Sequence, residues 1–303
     1  MQKIDYGGWN NCYRISNDTV DLVVTTDVGP RIMRFGFIDG PNMLKEFPLQ
    51  LGVTNSDRWL SFGGHRLWHT PEDKNRTYYP DSKKIDISFT ENKVILDQYI
   101  EPNTQIKKSI EIQLDAQKPL VSITHRLTNH GAWPIETSAW GITVMAQGGR
   151  AIIPLPPRGS HPENLLPTST LSLWAYTDLS DERWQFGKEF IFLKQDPKNN
   201  IPQKIGLFTG KGWIAYQNFN SVFVKYCAAT PAKNYPDMGA NFEVFTNSEI
   251  MELESLSPIK KINPGESIVH NELWLLKNNI PDLVKDEDVQ IFLGNLERDF
   301  QII

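Results

Sequence analysis

Apolar and polar residues alternate with period two along most of this chain, a period that fits strands and not helices. Ile85, Ile87 and Phe89 alternate with Asp86 and Ser88. Ile106, Ile110, Ile112 and Leu114 share one parity, while Lys107, Ser109, Glu111 and Gln113 take the other. Val121, Ile123 and Leu127 form a further apolar face, broken by His125, and Val222, Val224 and Tyr226 oppose Phe223 and Lys225. Each run has the pattern of a half-buried antiparallel strand. Turn-forming clusters separate the runs, among them Asp39-Gly40-Pro41-Asn42, Glu101-Pro102-Asn103, Asn129-His130-Gly131 and Asn263-Pro264-Gly265-Glu266. Their spacing predicts a long meander of antiparallel strands rather than βαβ units.

An all-β chain of 303 residues that is 40% hydrophobic can fill the core of one large sandwich. A single domain over 1–303 is therefore expected. The Pro-rich stretch 148–168 fits an ordered loop laid over a sheet better than an interdomain linker, because Ile152, Ile153, Leu155, Leu165 and Leu166 lie within it. Only the end of the chain has helical spacing: Val289, Phe292, Leu293, Leu296 and Phe300 make one stripe, preceded by Asp286, Glu287 and Asp288. A helix over about 285–300, lying as a lid on a sheet edge, is expected.

The net charge of −5 is spread without a basic stripe, so nucleic-acid binding is not expected. No window is apolar for long enough to make a membrane helix, and the first residues lack the apolar core of an export signal. The expected setting is cytoplasmic, with no membrane partner. Cys12 and Cys227 are too few for a disulfide scaffold or a thiolate metal site, and their flanks suggest small buried hydrophobes.

Three segments carry candidate chemistry. Ser61-Phe62-Gly63-Gly64-His65-Arg66-Leu67-Trp68-His69-Thr70-Pro71-Glu72 brings two imidazoles, a guanidinium, an indole and a carboxylate close behind a glycine pair. A planar donor fork beside a flat apolar ring suits a polar ligand with C–H faces, such as a sugar. The same residues also fit a turn with Trp68 in the core and its charges in water. In Met251-Glu252-Leu253-Glu254-Ser255-Leu256, a strand places Glu252 and Glu254 on one face, about 7 Å apart, with Met251 and Leu253 inward. Facing a cleft, such carboxylates would have raised pKa values suited to a general base; facing solvent, they would do nothing. Asp237 lies in a turn ahead of Asn241 and Glu243, which share a parity; with Lys225 they would form either a cross-strand salt bridge or part of the same cleft.

His65 and His69, four apart with Glu72 near, raise the idea of a metal site, but no third strong ligand is evident, so none is expected. His125 and His270 fit satisfied core histidines. Nucleophile elbows, phosphate loops and dinucleotide fingerprints are missing, so no cofactor is expected.

The order of these pieces resembles the aldose 1-epimerase (galactose mutarotase-like) superfamily. Asp27-Val28-Gly29-Pro30-Arg31-Ile32 resembles its opening "G-A-R-I" strand, and Gly63-Gly64-His65-Arg66 stands where it has an arginine-bearing sugar segment. Leu127-Thr128-Asn129-His130-Gly131, Met251-Glu252-Leu253-Glu254-Ser255-Leu256 and Asn263-Pro264-Gly265-Glu266 resemble its "T-N-x-G" turn, base-bearing strand and "P-G-E" turn. The chain is most similar to a branch with G-G-H-R-L-W and E-L-E-S-L-x-P motifs. The resemblance implies a β-supersandwich of roughly two dozen strands with a sugar cleft across its concave sheet. It also implies a glutamate that takes the anomeric proton and a histidine that protonates the ring oxygen. Glu254 fits the base position. Where the epimerases have the acid histidine this chain has Ser138-Ala139-Trp140-Gly141, so His65 becomes the acid candidate. Arg66, Trp68, His69, Trp140, Lys225, Asp237 and Glu252 become the candidate sugar contacts. Two classes of function stay open: an enzyme on a small carbohydrate, mutarotase-like or performing another proton transfer such as elimination, or a sugar-binding protein that kept the cleft and lost the histidine. A purely structural β-sandwich is a remoter third.

Overall fold

A computed structural model describes residues 1–90, 92–231 and 233–300. Among them, 22 strands form two ten-stranded antiparallel sheets and one small two-stranded pair. The first sheet runs Gln2–Tyr6, Trp9–Ser16, Val20–Thr25, Arg31–Phe37, His65–His69, Ala139–Met145, Met251–Leu256, Phe242–Thr246, Gln203–Leu207 and Leu171–Leu173, in spatial order. At its centre, neighbours in space are far apart in sequence, unlike a simple meander. The second sheet has Ser267–Lys277 at its centre, flanked by Ser221–Tyr226 and Leu120–Asn129.

The alternating apolar residues meet between the sheets. Leu22, Phe35, Leu67, Val244 and Leu253 of the first pack with Ile110, Ile123, Leu127, Phe223, Trp274 and Leu276 of the second, all at most 2% exposed. The outer face of the second sheet is covered as well. Val289, Leu293, Leu296 and Phe300, from helices Asp286–Leu293 and Leu296–Phe300, pack on Ile152, Phe192, Val222 and Val224. The helical stripe thus caps a sheet face, not the expected sheet edge, and is divided near Gly294. Within the Pro-rich stretch, Arg150–Pro154 is a strand of the second sheet, while most of 157–170 is exposed. Both cysteines are buried.

The glycine pair has a specific task. Gly63 (φ 92°) and Gly64 (φ 68°) lie in the left-handed region, and a Cβ on them would collide with the carbonyls of Lys45 and Ile32 respectively. This close approach feeds His65–His69 into its place between Arg31–Phe37 and Ala139–Met145.

Polar groups cross the otherwise apolar layer between the sheets. The Lys225 ammonium, fully buried, donates to the carbonyls of Gly141 (2.8 Å) and Leu253 (3.1 Å) and pairs with Glu272 at 3.1 Å. Glu272 also accepts from Ser255 Oγ and Trp274 Nε1. Gly141 leaves room for it, since a Cβ there would strike Glu272 Oε1. His125 Nδ1 lies 3.1 Å from the His270 carbonyl, which can only accept. The proton is therefore on Nδ1, and His125 Nε2 accepts from His65 Nε2 at 2.7 Å. His65 Nδ1 then accepts from Thr143 Oγ1 at 2.9 Å. Each imidazole is satisfied in its neutral form.

Two outcomes follow from this interior. Gly64→Ala should lower stability by at least about 1–3 kcal/mol through its backbone conformation alone, read as a lower urea midpoint. Burial pushes His65 well below its ordinary pKa, lowers His125, and brings His69 and His270 down to about 3. Between pH 6.5 and about 3 the unfolded chain therefore binds protons that the folded chain refuses, and stability falls as pH falls. Each histidine can add up to about 1.4 kcal/mol per pH unit. Glu243 and Glu252, raised by burial, oppose this slope, so His125→Gln isolates the histidine part. Urea unfolding from pH 7.5 down to 5 should show a shallower loss in that variant; equal slopes would refute the assignment.

Candidate functional site

The face of the first sheet turned away from the second carries a cleft of about 500 Å³. Register decides which side chains reach it. Trp68 lies opposite Trp140, and Trp140 opposite Leu256; Arg66, Ile142, Glu254 and Glu243 follow in one row across four strands; Val144, Glu252, Phe245 and Lys204 make the next. The alternate residues, His65, Leu67, Gly141, Thr143, Leu253 and Ser255, point into the layer between the sheets.

At one end of the cleft Arg66 is clamped. Its Nη2 donates to Glu252 Oε1 at 2.9 Å, and its guanidinium lies 4.4 Å from the Trp68 ring centre and 5.5 Å from that of Trp59. Trp68 makes edge contacts with Tyr78 and Trp140. The Tyr78 hydroxyl donates to Glu72 at 2.5 Å. Arg66 Nε and Nη1 and Trp59 Nε1 are buried without a partner. Unpaired buried donors are costly, and a ligand oxygen would relieve that cost.

Deeper in, Lys204 is clamped more tightly. Its ammonium lies 2.7 Å from Glu243 and 2.9 Å from Glu254, with the rings of Trp174 and Trp140 at 4.6 and 5.0 Å. Trp140 Nε1 donates to Glu254 Oε2 at 2.8 Å. Burial works against the ammonium, but the two carboxylates outweigh it and hold the Lys204 pKa above the ordinary lysine value. One ammonium cannot neutralise both acids, so burial and the Glu254 charge push Glu243 well up. Burial likewise raises Glu252, with Arg66 opposing. Glu254 is fully buried, whereas the Glu252 side chain keeps 13% of its surface and lines the cleft.

Arg66, Trp68, Trp140 and Glu252 thus line one cleft, with Glu254 directly beneath it. Four other expected residues do not reach it. His65 faces the second sheet and hydrogen-bonds to His125, because neighbouring residues of a strand point to opposite faces and Arg66 takes the cleft side. His69 shares the parity of His65 and is buried, with Nε2 unpartnered. Lys225 belongs to the second sheet and pairs with Glu272, not with Glu243. Asp237 is exposed in a turn where its carbonyl accepts from Ser172. A metal-like grouping exists only inside: ligand atoms of His65, His125 and Glu272 lie within 4.8 Å of one another among the described residues. All three are already hydrogen-bonded to the protein.

Lys204, Trp59, Tyr78 and Tyr176 line the site and were not expected there, while Glu243, one of the residues offered either to a salt bridge or to the cleft, lies buried beneath it against Lys204. The signal for Lys204 is weak, a lone lysine in Gln203-Lys204-Ile205-Gly206. Its partners lie about 40 and 50 residues downstream and meet it only by strand pairing.

No family model matches the sequence, and no curated protein matches it. Solved structures do match in shape. A galactose mutarotase-like protein from Lactobacillus casei superposes over 88% of this chain and 100% of its own, with TM-score 0.58 and 8% identity. One from Clostridium acetobutylicum covers 91% and 98%, with TM-score 0.55 and 11% identity. A galactose mutarotase related enzyme from Lactobacillus acidophilus covers 91% and 100%, with TM-score 0.55 and 8% identity. At such identities shape is what is shared. In fold, this chain is a galactose mutarotase-like β-supersandwich.

Proposed function

We propose that this protein is a carbohydrate-active, mutarotase-like enzyme that binds a neutral sugar in the first-sheet cleft. The observation that carries this reading is the pair of clamped cations, Arg66 and Lys204, set among the buried rings of Trp68 and Trp140 and the half-buried rings of Trp59 and Trp174. Each cation is already paired with carboxylates of this chain, so neither offers spare positive charge to a phosphate. What they offer is direction, as fixed donors beside fixed acceptors, which suits hydroxyl groups. Trp59 and Tyr78 provide ring faces for the sugar's C–H faces.

For proton transfer, the expected base was Glu254. Its seal beneath Trp140 and Lys204 favours Glu252 as the carboxylate that touches the ligand, with Glu254 orienting Lys204. Glu252 would take the anomeric hydroxyl proton, its raised pKa bringing it nearer to that of a working base. As the C1–O5 bond breaks and the aldehyde forms, the charge left on the ring oxygen would be stabilised by a hydrogen bond from the Lys204 ammonium, which keeps its own proton. After rotation about C1–C2 the ring oxygen re-adds to the other face, and Glu252 returns its proton to the new anomeric oxygen. The binding-only reading has one observation in its favour: no histidine is among the cleft-lining residues.

NMR exchange between the anomers of free hexoses, alongside calorimetric binding, separates the two. Glu252→Gln should slow exchange by about 10²–10⁴-fold while binding stays within a few-fold. Arg66→Ala should weaken binding by about 10–100-fold. Binding without any acceleration by the parent protein would establish the binding-only reading, and no binding across a broad sugar panel would refute both.

A further inference from the structure

The cleft holds two separate aromatic platforms. One gathers round Trp68, with Trp59 at 5.4 Å and Tyr78 at 5.0 Å between ring centres. The other is Tyr176 against Phe245, with ring centres 6.4 Å apart. Both line the same cleft, and register gives their separation. Trp68 and Phe245 stand three strands apart, because Trp68 pairs with Trp140 and Phe245 with Glu252, which lies opposite Val144. They are also offset by the four residues from Trp140 to Val144. At about 4.8 Å per strand and about 3.3 Å per residue, the two positions are about 19 Å apart along the diagonal. The Arg66–Glu252 and Lys204–Glu254 pairs occupy the sheet between them.

One pyranose ring cannot stack on both platforms. Building on the reading that the cleft binds sugar, we propose that its preferred ligand is an oligosaccharide long enough to bridge both platforms, with a free monosaccharide filling only one of them. One sugar sits against the Trp59–Trp68–Tyr78 group beside Arg66. The chain then runs over the paired charges, and a further sugar stacks on Tyr176 and Phe245. Tyr176 is 42% exposed, an aromatic ring held open to solvent against Phe245.

The test compares calorimetric affinities for glucose, galactose and mannose with those for their α- and β-1,4-linked oligomers, from the disaccharide up to lengths that bridge the two platforms. The longer sugars should bind at least about ten-fold more tightly. Tyr176→Ala, an exposed change that spares the core, should remove most of that gain, weakening the longer sugars at least about five-fold more than the hexoses. Trp59→Ala should weaken hexoses and oligosaccharides alike. Hexoses binding as tightly as their oligomers, or Tyr176→Ala weakening neither or both equally, would overturn the proposal while leaving a sugar cleft in place. Failure of every sugar to bind would overturn it together with the reading beneath it.

Discussion

Three paired strands, His65–His69, Ala139–Met145 and Met251–Leu256, each serve two environments, and the rest of the molecule depends on that division. In an extended chain, successive side chains leave opposite faces. Arg66, Ile142 and Glu254 therefore look into the cleft while His65, Gly141 and Ser255 look into the layer between the sheets. No rearrangement short of a register shift could move one of these residues across, and a shift would carry every other residue of that strand with it.

Each environment pays for its buried charge in its own way. Between the sheets, Lys225 and Glu272 neutralise each other, and their remaining donors and acceptors are taken by carbonyls, a hydroxyl and an indole. Desolvated pairs of this kind add little net stability, but losing one partner is costly. They tie the Gly141 and Leu253 backbones of one sheet to the Lys225 strand of the other. In the cleft the compensation is incomplete. Arg66 Nε and Nη1, Glu243 and one oxygen of Glu254 lack hydrogen-bond partners, although Lys204 stands beside both acids. A site that waits for a polar ligand would show this difference.

Much of the architecture was legible from local pattern. Strand periodicity is a property of a few consecutive residues, so the all-β class and the shared face of Glu252 and Glu254 could be read without coordinates. The inward course of Met251 and Leu253 followed from the same rule. That rule also held a warning about His65: next to Arg66 on a strand, it could not share a cleft with it. Lys225 was misplaced for another reason. Its parity on its own strand was clear, but which sheet that strand joins, and which face covers it, is not encoded nearby. The helical stripe after residue 285 was visible as an amphipathic pattern, yet its target, the face bearing Ile152 and Val224, was not.

Alternation, turns and a terminal amphipathic stripe suffice to specify strands, their facing parity and a β-rich class, because each arises from covalent geometry and nearest neighbours. The pairing of strands far apart in sequence was settled only by the folded sheets. It brings Lys204 between Glu243 and Glu254, sets Trp68 against Trp140, and sends His65 toward His125. Those contacts depend on which hydrophobic faces close on one another, a cooperative balance over the whole chain that no single segment contains.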